Sequence, residues 1–275
     1  MLGILKKMKT ELAEPVNYQL CLGDQLLNLN DSLGLQVNLR FTGKISCIHC
    51  GRSTKKSFSQ GYCYPCFISL AQCDMCIMKP ETCHYDKGTC REPEWGEAFC
   101  YQTHYVYLAN SSGIKVGITR QTQIPTRWID QGAVQALPIL KVQSRHISGV
   151  AEIALAKFVS DKTSWQKMLK NDSEQVDLIA KRDELIEQCR EDFTEIIRRF
   201  GDQAIEYLPD QQDIRINYPV LRYPAKVTSF NLDKNPNVSG VLQGIKGQYL
   251  LLDTGVINIR KFTGYECEFM PASAA

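Results

Sequence analysis

The sequence predicts an α+β fold in which β-rich ends flank a cysteine-dense segment, a hairpin and helices. Three observations carry this expectation. Val16–Ser46 and the stretch after Asp210 alternate apolar and polar residues between Gly, Asn and Asp turns. Cysteines in short pairs crowd the region after Ser46. Val176, Ile179, Ala180, Ile186, Cys189, Phe193, Ile196, Ile197 and Phe200 follow a helical stripe that Gly201 can stop. The expected units are an N-terminal β-rich segment over 1–46, a two-zinc cysteine module over 47–104 and a hairpin-and-helix domain over 105–170. A long helix over 171–211 and a small β module over 212–275 follow.

The first unit reads as short strands around the turns at Asn30-Asp31 and Thr42-Gly43. Met1–Thr10 lacks a long apolar core and a small-residue cleavage site, and no apolar run elsewhere suits a bilayer. A cytoplasmic chain with no membrane partner is expected. In that reducing compartment its twelve cysteines bind metal rather than form disulfides. A chain of 275 residues needs no metal merely to fold, so zinc here shapes a local module.

Cys47-Ile-His-Cys50 and Cys63-Tyr-Pro-Cys66 have the spacing of a structural zinc site, each pair bending the chain around the ion. Four thiolates close a tetrahedron and leave no position for water activation. Four unrelated buried thiols would not produce this spacing. A second zinc is expected on Cys73, Cys76, Cys83 and Cys90, with Cys100, His84 and His104 as substitute ligands. An iron–sulfur cluster competes for this set, and the C-x2-C pairs favour zinc. Cys21, Cys189 and Cys267 are isolated and read as small buried apolar residues.

Tyr105–Ala109 and Ile114–Thr119 read as strands joined by Asn110-Ser-Ser-Gly113, Arg127-Trp128 as the opening of a helix, and Val150–Ser160 as another helix. Val106, Leu108, Ile114, Val116 and Ile118 share an apolar face if Leu108 lies opposite Ile114, which sets Tyr107 across from Lys115. The other, non-core face then gathers Tyr105, Tyr107, Lys115 and Thr119, and Gly117 leaves room for a phosphate. A lysine beside Tyr107 would favour phenolate and make it a general base. Arg127 can grip a phosphate with its fork, and Glu152 can offer one carboxylate to Mg2+ or Mn2+. The plainer alternative is an ordinary hairpin with an exposed Tyr and Lys and a surface Arg–Glu pair. Trp128 reads as a core anchor before a stacking platform. The net charge of +2 hides a basic stretch: Lys115, Arg120, Arg127, Lys141 and Arg145 face only Asp130 between residues 101 and 150.

Tyr105-Val-Tyr-Leu-Ala109, Ile114-Lys-Val-Gly-Ile-Thr119, Arg127-Trp128 and Glu152 together resemble the GIY-YIG nuclease superfamily over residues 105–160. That family's first Tyr, second Tyr before a Gly, helix Arg and metal-binding Glu fall on Tyr107, Lys115, Arg127 and Glu152. Two departures stand out: Tyr-Val-Tyr replaces Gly-Ile-Tyr, and Lys115 replaces the second Tyr. The cysteine pairs ahead of this hairpin also resemble a bacterial family of zinc-binding chains. The resemblance implies a metal-dependent endonuclease with nucleic acid, DNA or RNA, as its partner. Lys115 pulls toward a zinc-dependent binding module without catalysis, whereas Glu152 pulls toward an enzyme. A zinc-scaffolded protein-interaction factor is the third reading.

Overall fold

The computed structural model describes residues 1–160 and 164–271. Its strands are β1 (Leu2–Glu11), β2 (Asn17–Leu22), β3 (Gln25–Asn28), β4 (Gln36–Ile45), β5 (His104–Asn110), β6 (Ile114–Arg120), β7 (Gln135–Val142), β8 (Ile205–Tyr207), β9 (Ile214–Arg215), β10 (Asn237–Lys246), β11 (Tyr249–Leu252), β12 (Gly255–Asn258) and β13 (Tyr265–Pro271). The helices are α1 (Tyr64–Ser69), α2 (Met75–Met78), α3 (Pro93–Phe99), α4 (Thr126–Asp130), α5 (Arg145–Ala156), α6 (Trp165–Lys170), α7 (Leu178–Gln188) and α8 (Arg190–Phe200). The α+β class is as expected, and no described helix is long and apolar enough to cross a membrane.

The two β-rich ends complete one another. They form a single eight-stranded sheet in the order β12-β11-β10-β4-β13-β1-β2-β3, with β4 hydrogen-bonded between β10 and β13. β1–β4 and β10–β13 therefore share one sheet, whereas β9 joins β7 in the other. The physical reason is edge satisfaction: alone, β4 and β13 would each leave a ladder unpaired. Leu5, Met8, Leu39, Leu242 and Phe269 bury on this sheet.

The second sheet has the order β6-β5-β7-β8, with β9 also on β7. The hairpin forms, with Leu108 opposite Val116, Tyr107 opposite Gly117, and Lys115 opposite Ala109. This is two residues from the expected register. A two-residue shift keeps every side chain on its face, so Tyr107 and Lys115 do share one, but they are not a direct pair. Pairing continues to Asn110 and Ile114, leaving only Ser111, Ser112 and Gly113 in the loop. The three-residue loop sets this register.

The face expected to be open is a second core. Val106, Leu108, Val116 and Ile118 pack with α5, α7 and α8 on one side, as expected. On the other, Tyr107, Ala109, Trp128 and Ala136 join the core of the eight-stranded sheet. Tyr107 and Trp128 are fully buried, and their rings meet edge to face at 5.9 Å. The long helix is two helices, α7 and α8, meeting at buried Cys189. Gly201, at φ +97°, ends α8 where the sequence places a stop.

Candidate functional site

The first two cysteine pairs converge. The sulfurs of Cys47, Cys50, Cys63 and Cys66 all lie within 4.8 Å of one another, and Cys50 Sγ is 3.7 Å from Cys63 Sγ. A zinc ion bonded to sulfur at about 2.3 Å requires a sulfur–sulfur edge of ~3.8 Å, so the set fits one tetrahedral ion. The local chain explains the convergence. After Cys47 it turns back, with Gly51 at φ +70° donating to Cys47 O. Cys63 caps α1, and Pro65 in its first turn starts the helix that carries Cys66 inward. Burial opposes ionisation of Cys47, but the backbone N–H groups of Cys50, Cys63 and His49 bring its pKa down and favour the metal-binding thiolate.

The other expected ligands divide. Cys73 packs with Cys47, Cys63, Cys66 and Leu70 in the first lobe. Cys76, Cys83 and Cys90 line a separate cavity, and Cys100 joins them there. The local chain accounts for the split: Cys73 N donates to Leu70 O at 3.1 Å in a tight turn on the first-lobe side, and Asp74 then caps α2, which carries Cys76 to the other cavity. Beside this cavity Asp74, Cys76 and His84 bring ligand atoms within 4.8 Å of one another. Asp74 already has partners: Arg91 Nε donates to its carboxylate at 2.7 Å, and Cys76 N donates to it at the start of α2. His84 Nδ1 is 2.8 Å from Thr89 Oγ1. His104 is buried elsewhere, with Nδ1 on Gln102 O at 2.7 Å.

Tyr107, Arg127 and Glu152 come from β5, α4 and α5 and share one neighbourhood. Burial raises the Tyr107 pKa; the Arg127 guanidinium beside the phenol oxygen works against this, and the Glu152 carboxylate adds to it. Tyr107 Oη donates to Gln131 Oε1 at 2.9 Å. The phenol is thus held neutral, contrary to the expected phenolate, because it is fully buried and Lys115 lies one pair further along. Lys115 is buried too, at 5 % exposure. Gly117 offers no room for a phosphate: a Cβ there would stand 2.6 Å from Tyr107 Oη and 2.7 Å from its Cζ. Gly117→Ala should therefore destabilise the protein by about 1–3 kcal/mol through overpacking. A denaturant midpoint equal to that of wild type would contradict this packing.

α4 is fixed from its far end. Asp130, nearly buried, pairs with Lys7 and accepts from Gln248 Nε2 at 2.8 Å, while Arg260 stands at 3.8 Å. These bonds tie Arg127's helix to the large sheet. α5 is seated just as closely: a Cβ at Gly149 would lie 2.5 Å from Pro80 Cβ, so glycine lets the cysteine segment pack directly on the helix.

Sequence reasoning gives neither Gln131 nor Arg145 a place in the site, and the structure puts both there. Arg145 lies seven residues before Glu152, two turns along the same helix face, and that spacing is the signal the sequence holds. Its pKa is lowered by burial and by nearby Arg127 and Arg120, while Cys100 and Cys76 raise it. Its guanidinium donates to Ile77 O at 2.6 Å. Arg120 and Arg127 thus lie near enough to Arg145 to act on it electrostatically.

No curated protein and no solved structure matches the chain. A family model described as protein of unknown function, DUF2797, matches residues 34–267, a span that runs from β4 through both cysteine groups and the hairpin to β13. The chain belongs to the DUF2797 family.

Proposed function

We propose that this chain is a cytoplasmic nucleic-acid-processing protein that hydrolyses phosphodiesters with a divalent metal at a GIY-YIG-like site, scaffolded by structural zinc at Cys47, Cys50, Cys63 and Cys66. The observation that carries the reading is the convergence of Arg127 and Glu152 on the Tyr107 phenol from three different elements. The order hairpin, Arg-bearing helix and Glu-bearing helix is the one that the superfamily resemblance calls for. The arginine gathering supports it too, since guanidiniums held this close disfavour one another and gain from an anionic phosphate.

In this reading Arg127 binds and orients the phosphate, and Lys115, one pair along on the same face, adds positive charge. Tyr107 stays protonated and buried, so its phenol positions the Arg127 guanidinium instead of touching the phosphate or taking a proton at rest. Glu152 would hold Mg2+ or Mn2+ through its carboxylate, and the ion would supply Lewis-acid stabilisation of phosphate charge. Full burial of Tyr107 and near-full burial of Lys115 favour a second reading, a nucleic-acid-binding module without catalysis.

One experiment separates them: pure protein with mixed DNA and RNA, with and without Mg2+ or Mn2+, beside Glu152→Ala. Cleavage that needs the metal and vanishes in the variant supports the enzyme. Tight, salt-sensitive binding with no cleavage under either metal replaces it with the binding module.

A further inference from the structure

We propose that Cys76, Cys83, Cys90 and Cys100 form a second metal centre, distinct in kind from the zinc tetrahedron, and that its occupant is an iron–sulfur cluster. This goes beyond the phosphodiesterase reading and does not depend on it.

The four sulfurs line one cavity between α2 and α3, walled by Ile77, Trp95 and Tyr101. They are near one another: Cys83, Cys90 and Cys100 all act electrostatically on Cys76, and Cys83 and Cys90 on Cys100. Gly96 on α3 lets Tyr85 and Cys90 approach the helix closely, with Tyr85 Cδ2 3.3 Å and Cys90 Sγ 3.5 Å from where a Cβ would sit. The largely buried Arg145 guanidinium lies beside Cys100 and Cys76, and its Nε has no hydrogen-bond partner among the described residues. A cation left short of a partner next to four thiols fits a centre in which those thiols are anionic.

Three observations separate this centre from zinc. The first is spread. Four thiolates on one zinc must lie about 3.8 Å apart, as the Cys47 group nearly does, yet Cys83, Cys90 and Cys100 are not among the described ligand sets within 4.8 Å of one another. The second is room. Sulfurs closed on a single ion at about 2.3 Å leave no space for water between them, whereas this cavity has about 20 Å³ of water-sized space. The third is spacing. With Cys73 in the first lobe, the remaining ligands are separated by six, six and nine residues and contain no C-x2-C pair. The pairing that argued for zinc is gone, and four cysteines around a wider, apolar-walled space suit an iron–sulfur cluster. The nearer trio of Asp74, Cys76 and His84 does not compete, because Arg91 and the Cys76 N–H occupy the Asp74 carboxylate.

The test is the metal content of the full chain, purified without oxygen and incubated with iron and sulfide. Wild type should carry iron and acid-labile sulfide in equal amounts, a broad visible absorbance, and zinc at the Cys47 group. Cys100→Ser should lose most of the iron and keep the zinc, and Cys73→Ser should keep both. If Cys100→Ser does not fold, the wild-type content and Cys73→Ser decide. Zinc in place of iron at this set, no metal beyond the first zinc, or iron lost in Cys73→Ser but kept in Cys100→Ser overturns the proposal. None of these readouts involves cleavage, so a failure here and a failure of the phosphodiesterase reading are told apart.

Discussion

Protein carrying Cys47→Ser should emerge from purification without zinc at the first site and with residues 47–66 open to protease, while the eight-stranded sheet persists. The lobe has little else to hold it. Its buried core is Cys47, Cys63, Cys66, Leu70 and Cys73, so three of its five members are ligands of the proposed ion. Replacing the sulfur with a hydroxyl removes a metal bond and leaves three thiolates around an ion that needs four. Structural zinc contributes on the order of 10–16 kcal/mol of apparent binding energy in isolated fingers, and that energy is linked to folding. Here the linked folding is local, because β4 enters the lobe from a sheet with its own core. Elemental analysis, with proteolysis or hydrogen exchange over residues 47–66, checks the result. Cys267→Ser is the control: that thiol is fully buried in the large sheet, and its loss should leave zinc untouched. Full zinc occupancy in Cys47→Ser would remove this cysteine from the ligand set.

The four-cysteine cluster was legible in the sequence because each half of it is a local event. A C-x2-C pair turns the chain within four residues, and nothing distant has to be known for two such turns to meet. Cys73 defeats the same reasoning. Its spacing to Cys76 is identical, yet Cys73 packs with Leu70 in the first lobe while Cys76 lines the other cavity. Ligand choice there depends on chain direction, which spacing does not encode. The hairpin shows a related limit. Alternation reports which face a residue takes, so Tyr107 and Lys115 were placed correctly on one face. Alternation is blind to a shift of two, and the loop decided the register. Nor did alternation reveal that both faces are covered, because Tyr107 and Trp128 meet a sheet whose strands lie at the far ends of the chain. Leu2 pairs opposite Glu268, a partnership with no local trace. The proximity of Arg127 and Glu152 to Tyr107 has no local trace, since no periodicity connects β5, α4 and α5.

Arg127→Ala should lower metal-dependent cleavage by about 10²–10³-fold, the cost of losing one preorganised charge contact at a reacting phosphate. The preorganisation is visible in how α4 is held. Asp130, three residues on, is locked to Lys7 and Gln248 of the large sheet, and Gln131 takes the Tyr107 hydroxyl, so the helix carrying Arg127 has little freedom to reorient. Arg127 itself is only partly buried and borders Arg145 and Arg260, whose positive charge its removal relieves. Stability should therefore change little, and the melting midpoint should stay near that of wild type. Arg127→Lys keeps the charge but loses the planar fork, and should recover only part of the rate. Tyr107→Phe keeps the ring under Gly117 and removes the hydroxyl, leaving Gln131 Oε1 without its donor. Its rate should fall with kcat more than with KM if the buried phenol positions Arg127 for the reacting phosphate. Salt gives an independent reading: without the Arg127 guanidinium on a phosphate, binding should depend less steeply on ionic strength. If Arg127→Ala cleaves as wild type does, or loses activity only in step with its melting midpoint, the guanidinium is a structural neighbour of Tyr107 and the site is not a phosphodiesterase.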